Sequence, residues 1–266
     1  MSLFLKALTQ IFSNWKMAVR VSLPLLALFV IFVIIGTMMF QGIDANSPEL
    51  FSATNIVLAL IALIVFWIAS CSTAVAWHRY ILLGERSSNL LIAGKRDRIF
   101  PYLVGTIIIA LISILIAVMM SIAIGLISTV YFAVLPAEAG FVLALLTTLI
   151  AGAIVATIII AASVTLPGLA MNNPLGIQGA IDATMPYFGK IFVAMLLIQV
   201  LNMIVGIIPS ILAPEFSSIT LTTSISDFDV LMLLAFNIAF YWFSTMLSIG
   251  ILTVIYGHAV EGRDLS

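Results

Sequence analysis

Six long apolar runs set the pattern of this chain, at about residues 21–40, 55–77, 103–130, 141–168, 191–212 and 230–256. None of them contains Lys, Arg, Asp or Glu. A helix rises 1.5 Å per residue, so about 20 apolar residues carry it across a hydrocarbon layer of about 30 Å. Each run therefore predicts a transmembrane helix. The third is long enough to tilt or to extend past the bilayer on one side.

Between the runs the pattern changes. Leu5, Leu8, Phe12, Trp15 and Val19 recur at three- and four-residue steps, while Lys6, Gln10, Ser13 and Lys16 occupy other faces. This predicts a short amphipathic helix at the membrane surface, with Trp and Lys suited to the headgroup region. Ahead of the fifth run, Ile177, Ile181, Met185 and Phe188 repeat the spacing, with Gln178 and Asp182 off that face. Leu91 to Phe100, ahead of the third run, is more basic and less regular.

Phe100-Pro101-Tyr102 and Met185-Pro186-Tyr187 lie 85 residues apart, each just before a span, and 85 residues further back lies Trp15-Lys16-Met17. We read three copies of one unit: interfacial helix, span, acidic loop, span. They cover about 1–85, 86–173 and 174–266 of a single transmembrane domain. Proline suits the place where an interfacial helix turns into a span, because the first turn of a helix needs no amide donor there.

Charge fixes the expected orientation. Lys6, Lys16 and Arg20 precede the first span, and Arg79, Arg86, Lys95, Arg96 and Arg98 lie between the second and third. Lys190 lies between the fourth and fifth, and Arg263 follows the sixth; these are all ten Lys and Arg residues. The other three connections carry Asp44 and Glu49, then Glu138, then Glu215, Asp227 and Asp229, with no basic residue. Basic residues stay cytoplasmic during insertion, so both termini are expected inside. The fold class expected is all-α: a polytopic membrane protein of six transmembrane helices in three hairpin-like repeats, each led by a cytoplasmic interfacial helix.

Composition agrees. Of 266 residues 64% are hydrophobic and 8% charged, where a soluble domain carries about 25% charged residues. Lipid must be the solvent for most of this surface. The start of the chain, interrupted by Lys6, Lys16 and Arg20, does not read as a cleaved signal peptide. The single cysteine, Cys71, lies in an apolar run and reads as a small buried hydrophobe.

The string Trp77-His78-Arg79-Tyr80 to Gly84-Glu85-Arg86 is the most distinctive. One reading makes it an inner-surface site for an anionic headgroup, with His78 and Arg79 as donors and Glu85 orienting one of them. The other makes it an interfacial anchor, with Trp77 and Tyr80 at headgroup level and Gly84 ending the helix. Tyr256-Gly257-His258 to Glu261-Gly262-Arg263 is similar in composition. The two clusters would meet on the cytoplasmic face if the repeats pack with pseudo-symmetry. A metal held by His78, Glu85, His258 and Glu261 lacks the tight ligand spacing such sites use, and no cofactor is expected.

Polar residues inside the spans are few. Gln199 and Asn202 share a face, and Asn237 lies in the sixth span; amides in lipid either join helices or line a polar cavity. Pro167 with Gly168, and Pro209, read as kinks or helix ends. Phe240 to Phe243 read as core filling or the wall of an apolar cavity. Ion-coupled transporters place charged groups within the membrane, and these spans have none. The five basic residues between positions 79 and 98 are too small a platform for nucleic acid.

Short interfacial helices before paired spans, with the Trp77-His78-Arg79 to Gly84-Glu85 string after the second span, resemble a group of six-span bacterial inner-membrane proteins without assigned function. The layout is similar to YciC-like membrane proteins and to the membrane domain beside some glycerophosphodiester phosphodiesterases. The resemblance implies a bacterial inner-membrane location. It does not carry the phosphodiesterase activity over, since this chain has no such domain.

The first functional expectation is a non-enzymatic scaffold, accessory subunit or lipid-interacting factor. Its partners would be anionic lipids of the cytoplasmic leaflet or another membrane protein. The alternative is a passive or facilitated carrier of an apolar or amphipathic solute. The third is an intramembrane enzyme acting on lipid headgroups through His78, Glu85, His258 and Glu261.

Overall fold

The computed structural model describes residues 2–40, 52–86, 96–212 and 227–264, without the side chains of 33–40, 208–212 and 227–234. Asp44, Glu49, Lys95, Glu215, the stretch 91–95 and the side chains of Pro209, Asp227 and Asp229 lie outside the described set. Among the described residues the fold is all helix: α1 Leu3–Ser13, α2 Trp15–Phe40, α3 Ala53–Leu83, α4 Arg96–Val134, α5 Ala137–Ser163, α6 Thr165–Met171, α7 Ile177–Thr184, α8 Phe188–Leu212 and α9 Asp227–Ala259. Six segments are long and apolar enough to cross a membrane: α2, α3, α4, α5 with α6, α7 with α8, and α9.

The short helix α1 starts at Ser2, whose hydroxyl accepts from the Leu5 amide, a capping bond that satisfies one free donor of the first turn. Its buried stripe is Leu3, Ala7 and Ile11, four residues apart and so on one face. Gly250 of α9 receives that stripe; a Cβ there would meet Ile11 Cδ1 at 3.4 Å and Ala7 Cβ at 3.7 Å. Of the apolar face read from the sequence, Leu5, Phe12 and Trp15 are exposed and Leu8 and Val19 half-buried. In α7 the buried positions are the small residues Ala180 and Thr184, while Met185 is exposed. In α1 the buried stripe mixes large and small residues, and in α7 only the small ones are fully buried while Ile177 and Ile181 are half-buried.

Prolines act differently at Pro101, Pro167 and Pro186, three of the places where the sequence suggests a turn or kink. Pro186 falls in the 3-10 turn Met185–Tyr187 that joins α7 to α8. Pro101 marks no boundary, because α4 runs through it from Arg96. Pro167 breaks the fourth span at Val164, where α5 ends and α6 begins. Proline cannot donate to the carbonyl four residues back, and its ring crowds it; for Pro167 that carbonyl belongs to Ser163, the last residue of α5.

Burial is concentrated at one end of the bundle. In α3 the buried residues run from Ala69 to Leu82, whereas Ile56 to Ile68 includes many exposed apolar side chains. In α9 they run from Met246 to Tyr256, and in α2 they are Ala18, Val21, Ser22 and Leu25. The common core joins these with Ile191, Ala194 and Met195 of α8 and with Tyr102 of α4. At the opposite end α4 and α5 form a hairpin, in which Gly140 lies under Phe132 and Tyr131 Oη meets Thr147 Oγ1 at 3.3 Å.

Aromatic residues of α9 tie this bundle laterally. Tyr241 stacks on Phe29 of α2 at 5.2 Å and tilts against Phe66 of α3 at 5.8 Å. Trp242 Nε1 donates to Ser22 Oγ of α2 at 2.6 Å. Of the two roles expected for Phe240 to Phe243, these two neighbours serve as bridges between helices.

Candidate functional site

The distinctive string closes α3. Gly84 takes a left-handed conformation, φ 70°, which costs a residue with a Cβ about 1 kcal/mol or more. Its amide donates to Tyr80 O at 3.0 Å, and the Glu85 amide to Arg79 O at 3.3 Å. This reversal brings the Glu85 carboxylate back onto Arg79. The guanidinium grips it with two bonds, Nε to Oε2 at 2.8 Å and Nη2 to Oε1 at 2.6 Å. Such a fork-to-carboxylate pair is the stronger kind of charge-assisted bond.

Arg79 is itself buried, and its remaining arm donates to the carbonyl of Ala170 at 2.7 Å. That carbonyl belongs to the last turn of α6, where the helix dipole places partial negative charge. Arg98 of α4 bonds the side chain of Asn172, the left-handed residue that ends α6, and pairs with Asp97 at 3.0 Å. Asn173 donates to Tyr256 Oη of α9 at 3.3 Å. Helices α3, α4 and α9 therefore converge on the end of α6.

The second string closes α9 in a related way. Gly262 is left-handed, φ 68°, and the Arg263 amide returns to Gly257 O at 2.8 Å. Arg263 pairs with Glu261 at 2.6 Å and donates to the carbonyl of Leu82 at 2.6 Å. The two strings do come together, but through an arginine that caps α3 rather than through their histidines.

His78 is fully buried between α4 and α9. Its Nδ1 lies 2.8 Å from Thr253 Oγ1, and its Nε2 lies 3.1 Å from Tyr102 Oη. Thr253 Oγ1 donates its proton to Ile249 O at 2.7 Å, so it accepts from His78 Nδ1–H, and Tyr102 then donates to Nε2. The network assigns the tautomer, and each proton has an acceptor. His78 does not face a headgroup. Trp77 is also fully buried, its indole Nε1 without a partner among the described residues, which differs from an interfacial anchor. Tyr80 is half-buried and donates to Asn14 Oδ1 at 2.8 Å.

His258 bonds the Arg263 carbonyl through Nδ1 at 2.8 Å and lies against Tyr187, ring centroids 4.6 Å apart. It shares no partner with His78, and Glu261 shares none with Glu85. Among the described residues no group of three or more His, Cys, Asp and Glu comes together. Gln199 of α8 lies over Gly152 of α5, where a Cβ would meet its amide at 2.9 Å. Asn202 and Asn237 are on exposed faces. Cys71 is buried.

Arg86 stands apart from the rest of its string. It is exposed and lines a pocket of about 510 Å³ with Lys16, Arg20, Trp15, Asn14 and Tyr80. Sequence reasoning placed Lys16 and Arg20 on the basic side without joining them to Arg86, because the pocket forms only when the α1–α2 turn packs on the end of α3. The same holds for Tyr102 and Thr253, whose roles depend on packing across helices.

The helices and this polar, interlocked end define a multi-pass α-helical membrane protein. Comparison with protein-family models, curated proteins and solved structures gave no match for the chain.

Proposed function

We propose that this is a non-enzymatic integral protein of a bacterial inner membrane, acting as a scaffold, accessory subunit or lipid-interacting factor. One observation carries the reading. The spans are locked together at one end and leave long apolar faces open over the rest: Leu111 to Val130 of α4, Ile56 to Ile68 of α3 and Phe141 to Ile150 of α5 all include strongly exposed side chains. Such faces suit lipid or the spans of another membrane protein. Meanwhile His78, Arg79, Glu85, Glu261 and His258 are engaged in bonds that hold helices and their ends, which leaves no free acid–base pair among these described residues.

The same proposal includes the orientation and the repeat. Both termini, α1 and α7 lie on the cytoplasmic side, supported by the partition of basic residues. The three left-handed residues among the described residues, Gly84, Asn172 and Gly262, support a repeated unit. They are 88 and 90 residues apart (172 − 84 and 262 − 172) and each follows the second span of its unit.

A second reading, a carrier for an amphipathic solute, is favoured by a lateral groove of about 370 Å³ between α2, α3 and α4. Its walls include Pro24, Leu28, Val65, Ile68 and Leu103, with Arg96 at one end. Extraction in a mild detergent, followed by mass spectrometry of retained lipids and proteins, tests the first reading. Stoichiometric lipid or a membrane partner is expected. Solute flux in vesicles that depends on Leu28 and Leu103, with neither lipid nor partner retained, would favour the second.

A further inference from the structure

The pocket at Arg86 gathers three cations, Lys16, Arg20 and Arg86, around one cavity. Arg79, Arg98 and Arg263 are each paired with a carboxylate, and Lys6 bonds the carbonyl of Asp264. Lys16, Arg20 and Arg86 make no ion pair or hydrogen bond among the described residues, and no carboxylate lines the pocket they share. Three cations facing one cavity repel one another, and the arrangement is favourable when an anion occupies it.

The walls are built rather than loose. Asn14 accepts from Tyr80 Oη at 2.8 Å and donates to Gln10 O at 2.9 Å, so both ends of its amide are fixed. The Arg79–Glu85 fork and the Gly84 reversal fix the turn that carries Arg86. Trp15 is 56% exposed at the rim, an amphipathic ring of the kind that sits at headgroup depth.

We infer that the pocket between the α1–α2 turn and the end of α3 binds the phosphate of an anionic phospholipid, with Lys16, Arg20 and Arg86 as its donors. Trp15 lies beside the glycerol region. The inference deepens the lipid-interacting form of the proposed function and rests on it. It also moves the headgroup contact from His78 and Arg79, which are buried, to Arg86 and two residues in the first turns of α2.

The test uses the full chain in neutral detergent, titrated with dioctanoyl phosphatidylglycerol, dioctanoyl phosphatidylcholine and inorganic phosphate, read by tryptophan fluorescence and by the unfolding midpoint. Saturable binding of phosphatidylglycerol is expected, weakened at least tenfold in K16Q/R20Q/R86Q and kept within about threefold in R20K/R86K. Equal binding by the triple variant, equal binding of phosphatidylcholine, or equally tight binding of inorganic phosphate would overturn the assignment. R86Q alone, at an exposed site, replaces the triple variant if that one fails to accumulate. A wild-type protein that retains lipid in mild detergent yet shows no charge-dependent titration sinks only this site. One that retains neither lipid nor partner sinks the underlying reading.

Discussion

His78 and Thr253 are 175 residues apart in the chain and 2.8 Å apart in space. With Tyr102 at 3.1 Å on the other ring nitrogen, the imidazole joins α3 to α4 and α9 inside the locked end. The histidine that sequence alone would offer to a headgroup is therefore a joint between helices.

Replacing His78 with Leu leaves the Tyr102 hydroxyl without its acceptor in a buried setting. A loss of about 1–3 kcal/mol is expected from an unsatisfied buried group, measured by equilibrium unfolding in mixed micelles. The H78L/Y102F pair should be less destabilised than the sum of the single variants, with a coupling of about 0.6–1.7 kcal/mol as for other interhelical bonds in membranes. Strict additivity would show that the two side chains do not interact.

Glu85 offers a test of the α3 turn. Its change to Gln removes the charge from a fork that holds a buried guanidinium, and a cost of about 1–3 kcal/mol is expected. Removing Arg79 as Met should cost more, since it also uncaps the Ala170 carbonyl of α6. Unfolding midpoints of E85Q and R79M give the order directly.

Two glycines separate steric need from mere presence. A Cβ on Gly168 would lie 2.6 Å from the Asn173 carbonyl oxygen, whereas one on Gly189 meets nothing within 4 Å. G168A should therefore destabilise the protein, by about 1–3 kcal/mol as overpacking does. G189A should be neutral, or stabilising by about 0.5–1 kcal/mol, because alanine is the better helix former.

Arg263 caps the last turn of α3 through the Leu82 carbonyl, 181 residues away. R263A should speed hydrogen exchange at the amides of Gly84 and Glu85 while leaving those of the α4–α5 hairpin unchanged. Uniform acceleration in both places would mean that the contact supports the whole bundle instead.

Much of this was legible before the structure. The six spans follow from hydrophobic runs alone, since bilayer thickness sets helix length. Gly84 as the end of α3 follows from local chain chemistry, whereas the sequence left open whether Glu85 orients His78 or Arg79; the left-handed reversal at Gly84 selects Arg79. The break at Val164 follows from Pro167. What periodicity misses is which side of a short helix meets protein. When lipid surrounds the fold, large apolar residues such as Phe12 have no reason to turn inward, so Ala7 and Ile11 against Gly250 make the contact. The burial of Trp77 and His78 was equally hidden, because their neighbours Tyr102 and Thr253 come from other spans. The Lys16, Arg20 and Arg86 pocket depends on a similar long-range approach.

The measurement that bears most directly on the proposed role is a native mass spectrum of the protein released from mild detergent. The chain alone has a mass of 28.7 kDa. The account predicts discrete heavier species, spaced by the mass of an anionic phospholipid or by that of one membrane-protein partner. A single peak at the mass of the bare monomer, under conditions that preserve known lipid adducts of a control protein, would contradict it.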